Sequence, residues 1–152
     1  MAPARAKCWP SITVKPKTAS PVADLYATAE KAKRWFLGRA CSRSHGDWDR
    51  RGGLSDSRHG AVYVFFDRNG NALYVGQTGA SLKERANYET SRHYDTVWWN
   101  KWTTLRFLNI GGETDRLALE LLLILSLAPN HNVTPCFRPL AEMQEGLTMA
   151  CK

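Results

Sequence analysis

The sequence predicts an α+β domain in which three short strands are flanked by helices, preceded by a further N-terminal helix. Three observations predict it. Asn69-Gly70 lies between two stretches rich in β-branched and aromatic residues, the strongest short-range sign of a β-hairpin. Ser81-Leu82-Lys83-Glu84 has the form of a capping box, which starts a helix near Leu82. Residues 117–127 are leucine-rich and stop just before Pro129, as a buried helix would.

From the N-terminus, residues 1–19 hold three prolines and no periodicity, and read as extended chain. Ser20-Pro21 is a helix start, a capping hydroxyl followed by proline at the first helical position. Val22, Leu25, Tyr26, Ala29, Ala32 and Phe36 then recur at helical spacing, which predicts a helix over 21–38 ended by Gly38. Residues 40–59, rich in Ser, Gly, Arg and His, read as a loop. The chain thus divides into a basic N-terminal extension (1–59), a core (60–134) and a C-terminal tail (135–152).

Within the core, a two-residue type I′ turn at Asn69-Gly70 would pair Arg68 with Asn71. Phe65 then faces Tyr74 and Tyr63 faces Gly76. Directly opposed residues share a face of the sheet, so both phenols reach one surface, with an empty slot at Gly76 opposite Tyr63. Trp98, Trp99 and Trp102 suit core packing, and residues 103–110 suit a third strand. Gly111-Gly112 breaks it, and Thr114 can cap the next helix, from Asp115 to about Leu127.

Two polar residues sit where apolar ones belong. Arg85 shares a helical face with Leu82 and Ala86, directed at the sheet, and needs a partner or a task there. Glu120 stands alone among leucines, on the face of Leu117 and Ile124 in a helix expected to be largely buried. A carboxylate so placed costs several kcal/mol unless protonated, paired or bound to a metal. An ion pair with Arg116 or Arg85 is one account of it, and a metal is another.

Charge is uneven along the chain. The net charge is +7, from 21 Lys+Arg and 14 Asp+Glu. Residues 1–60 hold twelve basic and five acidic side chains, whereas residues 61–152 hold nine of each. The whole excess lies ahead of the core, at Lys31, Arg34, Arg39, Arg43, Arg50, Arg51 and Arg58 among others. A polyanion would be drawn there through phosphate neutralisation and counterion release.

Several classes are disfavoured. No apolar run reaches the length of about 18 residues that a membrane span needs. The start lacks the apolar stretch of a secretory signal. Cys8, Cys41, Cys136 and Cys151 are scattered without a Cys-x-x-Cys pair, which suggests neither a zinc ribbon nor a disulfide framework. A reduced cytoplasm is the expected home.

The ordered set Ala61-Val62-Tyr63, Tyr74-Val75-Gly76, Arg85, Glu120 and Asn132 resembles the GIY-YIG nucleases, over roughly residues 60–134. The resemblance implies a small three-stranded antiparallel sheet flanked by helices, and an endonuclease that hydrolyses phosphodiester bonds in double-stranded DNA with one Mg²⁺ or Mn²⁺. It implies Tyr63 as general base, Tyr74 orienting water or phosphate, Arg85 on the scissile phosphate and Glu120 as the metal ligand. Asn132, by the Pro129-x-x-Asn spacing, would hold phosphate or the turn that shapes the pocket, and His93 corresponds to a further catalytic-site histidine of some members. Ala61 replaces the usual glycine, valines replace both isoleucines, and Glu89 stands where a histidine often comes one helical turn after the arginine. A non-catalytic nucleic-acid-binding module, or a secreted nuclease toxin acting on DNA or RNA, are the alternative readings. The first would not need Glu120 and Arg85 turned inward.

Overall fold

The computed structural model describes residues 21–50, 58–87 and 93–132. The elements run α1 (Pro21–Arg39), β1 (Cys41–Ser44), α2 (His45–Arg50), β2 (His59–Asp67), β3 (Ala72–Ser81) and α3 (Leu82–Ala86), then a 3₁₀ turn (Trp99–Lys101), β4 (Trp102–Asn109) and α4 (Glu113–Leu127). The strands form one antiparallel sheet in the order β1-β4-β2-β3. Arg51, the extended stretch expected over 1–19 and the tail 135–152 lie outside the described residues.

The expected antiparallel sheet is present, with a fourth strand. Part of the segment read as a loop, Cys41–Ser44, pairs with β4, and His45–Arg50 adds a helical turn and a half. All four residues of β1 are exposed, so there is no alternation of apolar and polar residues from which a strand could be read. Backbone pairing along β4 makes the strand, and Trp48 anchors α2 in the core.

The hairpin turn also differs from expectation. Asp67 N–H donates to the Asn71 carbonyl and Gly70 N–H to the Asp67 carbonyl, so three residues, Arg68-Asn69-Gly70, make the turn. Gly70 takes φ +81°, and the Asp67 carboxylate accepts from the Asn69 and Asn71 amides. One extra turn residue would flip every later side chain to the other face. A bulge prevents this: Phe66 pairs with Ala72 but Phe65 with Tyr74, so Leu73 is passed over. Tyr63 consequently faces Gly76, and the expected register at the two tyrosines stands.

The two sheet faces bury different cores. Tyr63, Phe65 and Tyr74 share one with Trp48, Leu82, Trp98, Trp99, Trp102 and Phe107, in which the three expected core tryptophans are buried. Val62, Val64 and Val75 face the other, covered by Phe36 of α1 and by Leu119 and Leu123 of α4. Two helices are less buried than their patterns suggest. Val22 and Leu25 of α1 are 47% exposed, and Leu117 and Leu121 of α4 are 48% and 43% exposed. Helix α4 lies on the sheet by one side only, and its cap is Gly112 rather than Thr114. No helix among the described residues is long and apolar enough to cross a membrane.

Gly60 and Gly70 separate two costs of a side chain. Both have positive φ, but a Cβ at Gly70 meets open space, whereas one at Gly60 would lie 2.4 Å from the Ile110 carbonyl oxygen. Gly70→Ala should cost about 1–2 kcal/mol of backbone strain alone, and Gly60→Ala roughly 3 kcal/mol or more as overpacking is added. Urea unfolding of the two variants measures the difference; equal midpoints would contradict it.

Candidate active site

Tyr63 is the centre of the site. Its ring is fully buried, and a Cβ on Gly76 opposite would lie 2.7 Å from its hydroxyl, so the phenol occupies the space that glycine leaves. Arg85 of α3 donates from Nε to the Tyr63 hydroxyl at 3.2 Å, and His93 Nε2 lies 3.1 Å from the same oxygen. A guanidinium can only donate. The phenol oxygen thus accepts from Arg85 and shares a second hydrogen bond with His93 Nε2, in which the imidazole tautomer decides the donor.

Local sequence explains how each group arrives. Ser81 Oγ accepts the Glu84 N–H at 3.3 Å, which starts α3, and buried Leu82 and Ala86 turn Arg85 towards the phenols. His93 is buried and heads a tight turn closed by Thr96, whose N–H and hydroxyl both donate to the His93 carbonyl. Tyr74 is half-buried and stacks on Trp98 with ring centroids 5.3 Å apart and planes 9° from parallel, and its ring centroid is 4.5 Å from that of His93. It also hydrogen-bonds Arg85, so the guanidinium sits between two phenols.

Burial pushes the Tyr63 phenol well above its ordinary value, as does Tyr74, and the hydrogen bond from Arg85 only partly opposes this. Tyr63 alone is no base at neutral pH. Burial works against the charge on Arg85, but its hydrogen bond and attraction to Tyr63, with help from Tyr74, raise it above the usual value, so it stays cationic.

Glu120 reaches the site from the opposite side of the sheet. Helix α4 turns Leu119 and Leu123 onto the face opposite Tyr63, while the Glu120 carboxylate comes near the backbone N–H of Gln77 on the edge strand β3. Gln77 directly follows Gly76, the partner of Tyr63. Burial raises the Glu120 carboxyl above its ordinary value, against the Gln77 N–H and the charge of Arg85. Glu120 is half-buried rather than sunk in leucine, and the ion pairs found among the described residues, Lys33–Glu30 and Arg50–Asp47, do not include it.

Asn132 is placed by both ends of its amide. Its Oδ1 accepts from Val75 N–H at 2.8 Å and its Nδ2 donates to the Val75 carbonyl at 2.7 Å, which ties the chain after α4 to the Tyr74-Val75-Gly76 strand. The amide is thus engaged at both ends with the backbone of the strand that carries Tyr74 and Gly76. The basic residues are not gathered into one patch. Lys31, Arg34 and Arg39 lie on α1, behind the sheet from Tyr63, and Arg39 stacks over Trp35 at 5.0 Å. Arg43 pairs with Leu105 and so shares the face of Tyr63, Arg50 is bonded to Asp47, and Arg58 is exposed just ahead of β2.

Sequence reasoning missed Gln77. Its position opposite Val62 puts its side chain among the apolar residues facing α4, and a lone amide in such a row was the available signal. Among the described residues no three His, Cys, Asp or Glu come together. Glu120 could offer a carboxylate oxygen to a hard cation such as Mg²⁺.

The hairpin thus sets two phenols beside an arginine and a histidine, and comparison with known proteins places the segment that carries them in a family. Residues 59–133 match the UvrC-like GIY-YIG domain, and this segment belongs to the GIY-YIG nuclease superfamily. Among relatives, the UvrABC system protein C of Flavobacterium johnsoniae is 37% identical over 76 residues, which are 47% of this chain and 13% of that protein. The proteins of the same name from Flavobacterium psychrophilum and Christiangramia forsetii are each 36% identical over 76 residues, covering 47% of this chain and 12% and 13% of theirs. The match thus spans about an eighth of these relatives. No solved structure matches.

The raised Glu120 carboxyl gives a signed expectation. Folding binds its proton more tightly, so its stabilising contribution is complete below the ordinary carboxylate range and is lost as pH rises through the folded value. Glu120→Gln, neutral throughout and still able to accept from Gln77, should resist urea better than the native chain at pH 7. That lead should close as the pH falls below the carboxylate range. Equal midpoints at pH 7 would show that ionised Glu120 costs the fold nothing.

Proposed function

We propose that this chain is a divalent-metal-dependent endonuclease that hydrolyses phosphodiester bonds in double-stranded DNA, acting in the cytoplasm. The observation that supports it most is the convergence of Arg85 and His93 on the buried Tyr63 hydroxyl, with Glu120 brought round the sheet edge beside them. A purely binding module has no use for a buried phenol with a proton acceptor on one side and a fixed cation on the other.

In this reading, water attacks phosphorus and gives its proton to Tyr63 as the phenol passes its own to His93 Nε2. The pair acts as the base that neither a raised phenol nor a distant imidazole could be alone. Arg85 neutralises the non-bridging oxygens while holding Tyr63 in line, and Tyr74 orients the phosphate or the attacking water. The ester bond opposite the entering water breaks, and its oxygen leaves as an alcohol after taking a proton from solvent. Glu120 would hold the Mg²⁺ or Mn²⁺, which when bound supplies positive charge for the leaving oxygen. Asn132 fixes the strand that carries Tyr74 and Gly76.

Supercoiled plasmid incubated with the protein should be cut with Mg²⁺ and spared with chelator. Arg85→Ala and Glu120→Ala should each lower the rate by about a hundredfold or more. Tyr63→Phe and His93→Gln should both lose rate. Full cleavage in chelator, or by Glu120→Ala with unchanged Mg²⁺ dependence, would overturn the metal assignment.

The grip on DNA is assigned to the basic residues ahead of the core: Lys31, Arg34, Arg39, Arg43, Arg50, Arg51 and Arg58. Because Arg43 shares the face of Tyr63 while α1 lies behind the sheet, the two groups contribute unequally. Arg43→Gln with Arg50→Gln should weaken binding to all sequences more than Lys31→Gln with Arg34→Gln. The slope of log affinity against log salt should flatten by roughly 0.9 per lost phosphate contact. Native affinity and slope in both variants would reduce the charge to a solvated surface.

A further inference from the structure

Arg116 is buried to 7% exposure without a carboxylate partner among the described residues. A buried guanidinium ordinarily requires an ion pair. Here the charge is satisfied by neutral oxygens. Nη1 donates to the carbonyls of Ile110 at 3.1 Å and Gly111 at 2.7 Å, and Nε donates to the side-chain oxygen of Gln77 at 3.2 Å. Gly60 makes the room, since a Cβ there would lie 2.9 Å from Nη1. The two carbonyls alone would make Arg116 a staple for the connection between β4 and α4. The third bond reaches across to the edge strand, to the residue whose backbone N–H holds Glu120.

Arg116 and Glu120 are four residues apart, one turn along the same side of α4. Arg116 holds Gln77 through its side chain, and the backbone N–H of Gln77 faces the Glu120 carboxylate. We infer that Arg116 is a positioning residue: by anchoring the Gln77 side chain it fixes the peptide whose N–H orients the Glu120 carboxylate. This rests on the reading of Glu120 as the metal ligand. A ligand carboxylate binds best when its direction is already fixed, and that N–H is a neighbour able to fix it. Groups that orient a ligand from behind typically change metal affinity by about 10–100-fold when lost.

Gln77→Leu gives the cleanest test, because it cuts the Arg116–Gln77 bond and leaves the Gln77 backbone and both carbonyl bonds of Arg116 in place. Arg116→Lys is the companion variant, which keeps the charge but loses the planar fork. Amide hydrogen exchange at position 77 in the metal-free protein, and Mn²⁺ affinity by calorimetry, are measured alongside urea stability. In Gln77→Leu, exchange at position 77 should quicken and Mn²⁺ affinity fall about tenfold or more, with a nearly native urea midpoint; Arg116→Lys should match if it folds. Native exchange and native Mn²⁺ affinity in Gln77→Leu would overturn the inference and leave Arg116 a staple. Glu120→Ala distinguishes the two readings. If it binds Mn²⁺ as the native chain does, the metal assignment fails, while exchange at position 77 still decides whether Arg116 governs the Gln77–Glu120 bond.

Discussion

The approach of Tyr63 to Gly76 is the constraint on which the site depends. A phenol buried on a sheet face needs a neighbouring strand without a side chain, and glycine supplies it at a distance where any Cβ would strike the hydroxyl. That contact exists only in one register of β2 against β3. Once it is fixed, the hydroxyl lies where α3 delivers Arg85 and where the turn before β4 delivers His93. The same register puts Gln77 at the edge, with its N–H available to Glu120. Four groups from four parts of the chain are thus located by one pairing of two short strands.

The sheet separates two kinds of work. One face collects the aromatic rings, the phenols and the imidazole, and its tryptophans wall them from water on the inner side. The other face is an aliphatic layer under α1 and α4. Glu120 belongs to the helix of the second layer yet feels the charge of Arg85 in the first, and it lies beside β3, the edge strand of the sheet among the described residues. A carboxylate in the aromatic layer would have been fully desolvated next to a buried phenol. Arriving round the edge, it stays half in water and keeps its charge more cheaply.

Much of this was legible in the sequence because period and spacing survive folding. The tyrosine register came from Asn69-Gly70, although the mechanism was different: a three-residue turn and a bulge at Leu73 offset one another. A strand register can thus stand where the turn reading beneath it is wrong. Strand β1 was not legible, since Cys-Ser-Arg-Ser carries no alternation and is held by backbone pairing to β4 alone. Helix α4 looked buried on every side because leucine content says nothing about how many neighbours a helix has. Gln77 was invisible as part of the site because its contribution to Glu120 is a backbone N–H, which every residue but proline possesses. The disposition of the basic residues on two faces needed the topology, which charge counting lacks.

The tie between Asn132 and Val75 has a consequence beyond the pocket. An edge strand offers a row of free N–H and C=O groups to any other extended chain. On β3 that row is already spoken for: Asn130 and His131 donate from their backbones to the carbonyls of Ala72 and Leu73, and the Asn132 side chain imitates a further strand residue at Val75. The bulge lets the consecutive carbonyls of Ala72 and Leu73 both serve this purpose. Ala72, Leu73 and Val75 are thereby closed to strand addition by another copy, and the closure stops just short of Gly76 and Gln77. An asparagine side chain posing as a length of β-strand thus covers part of this edge against edge-to-edge pairing and ends where the free stretch at Gly76 and Gln77 begins.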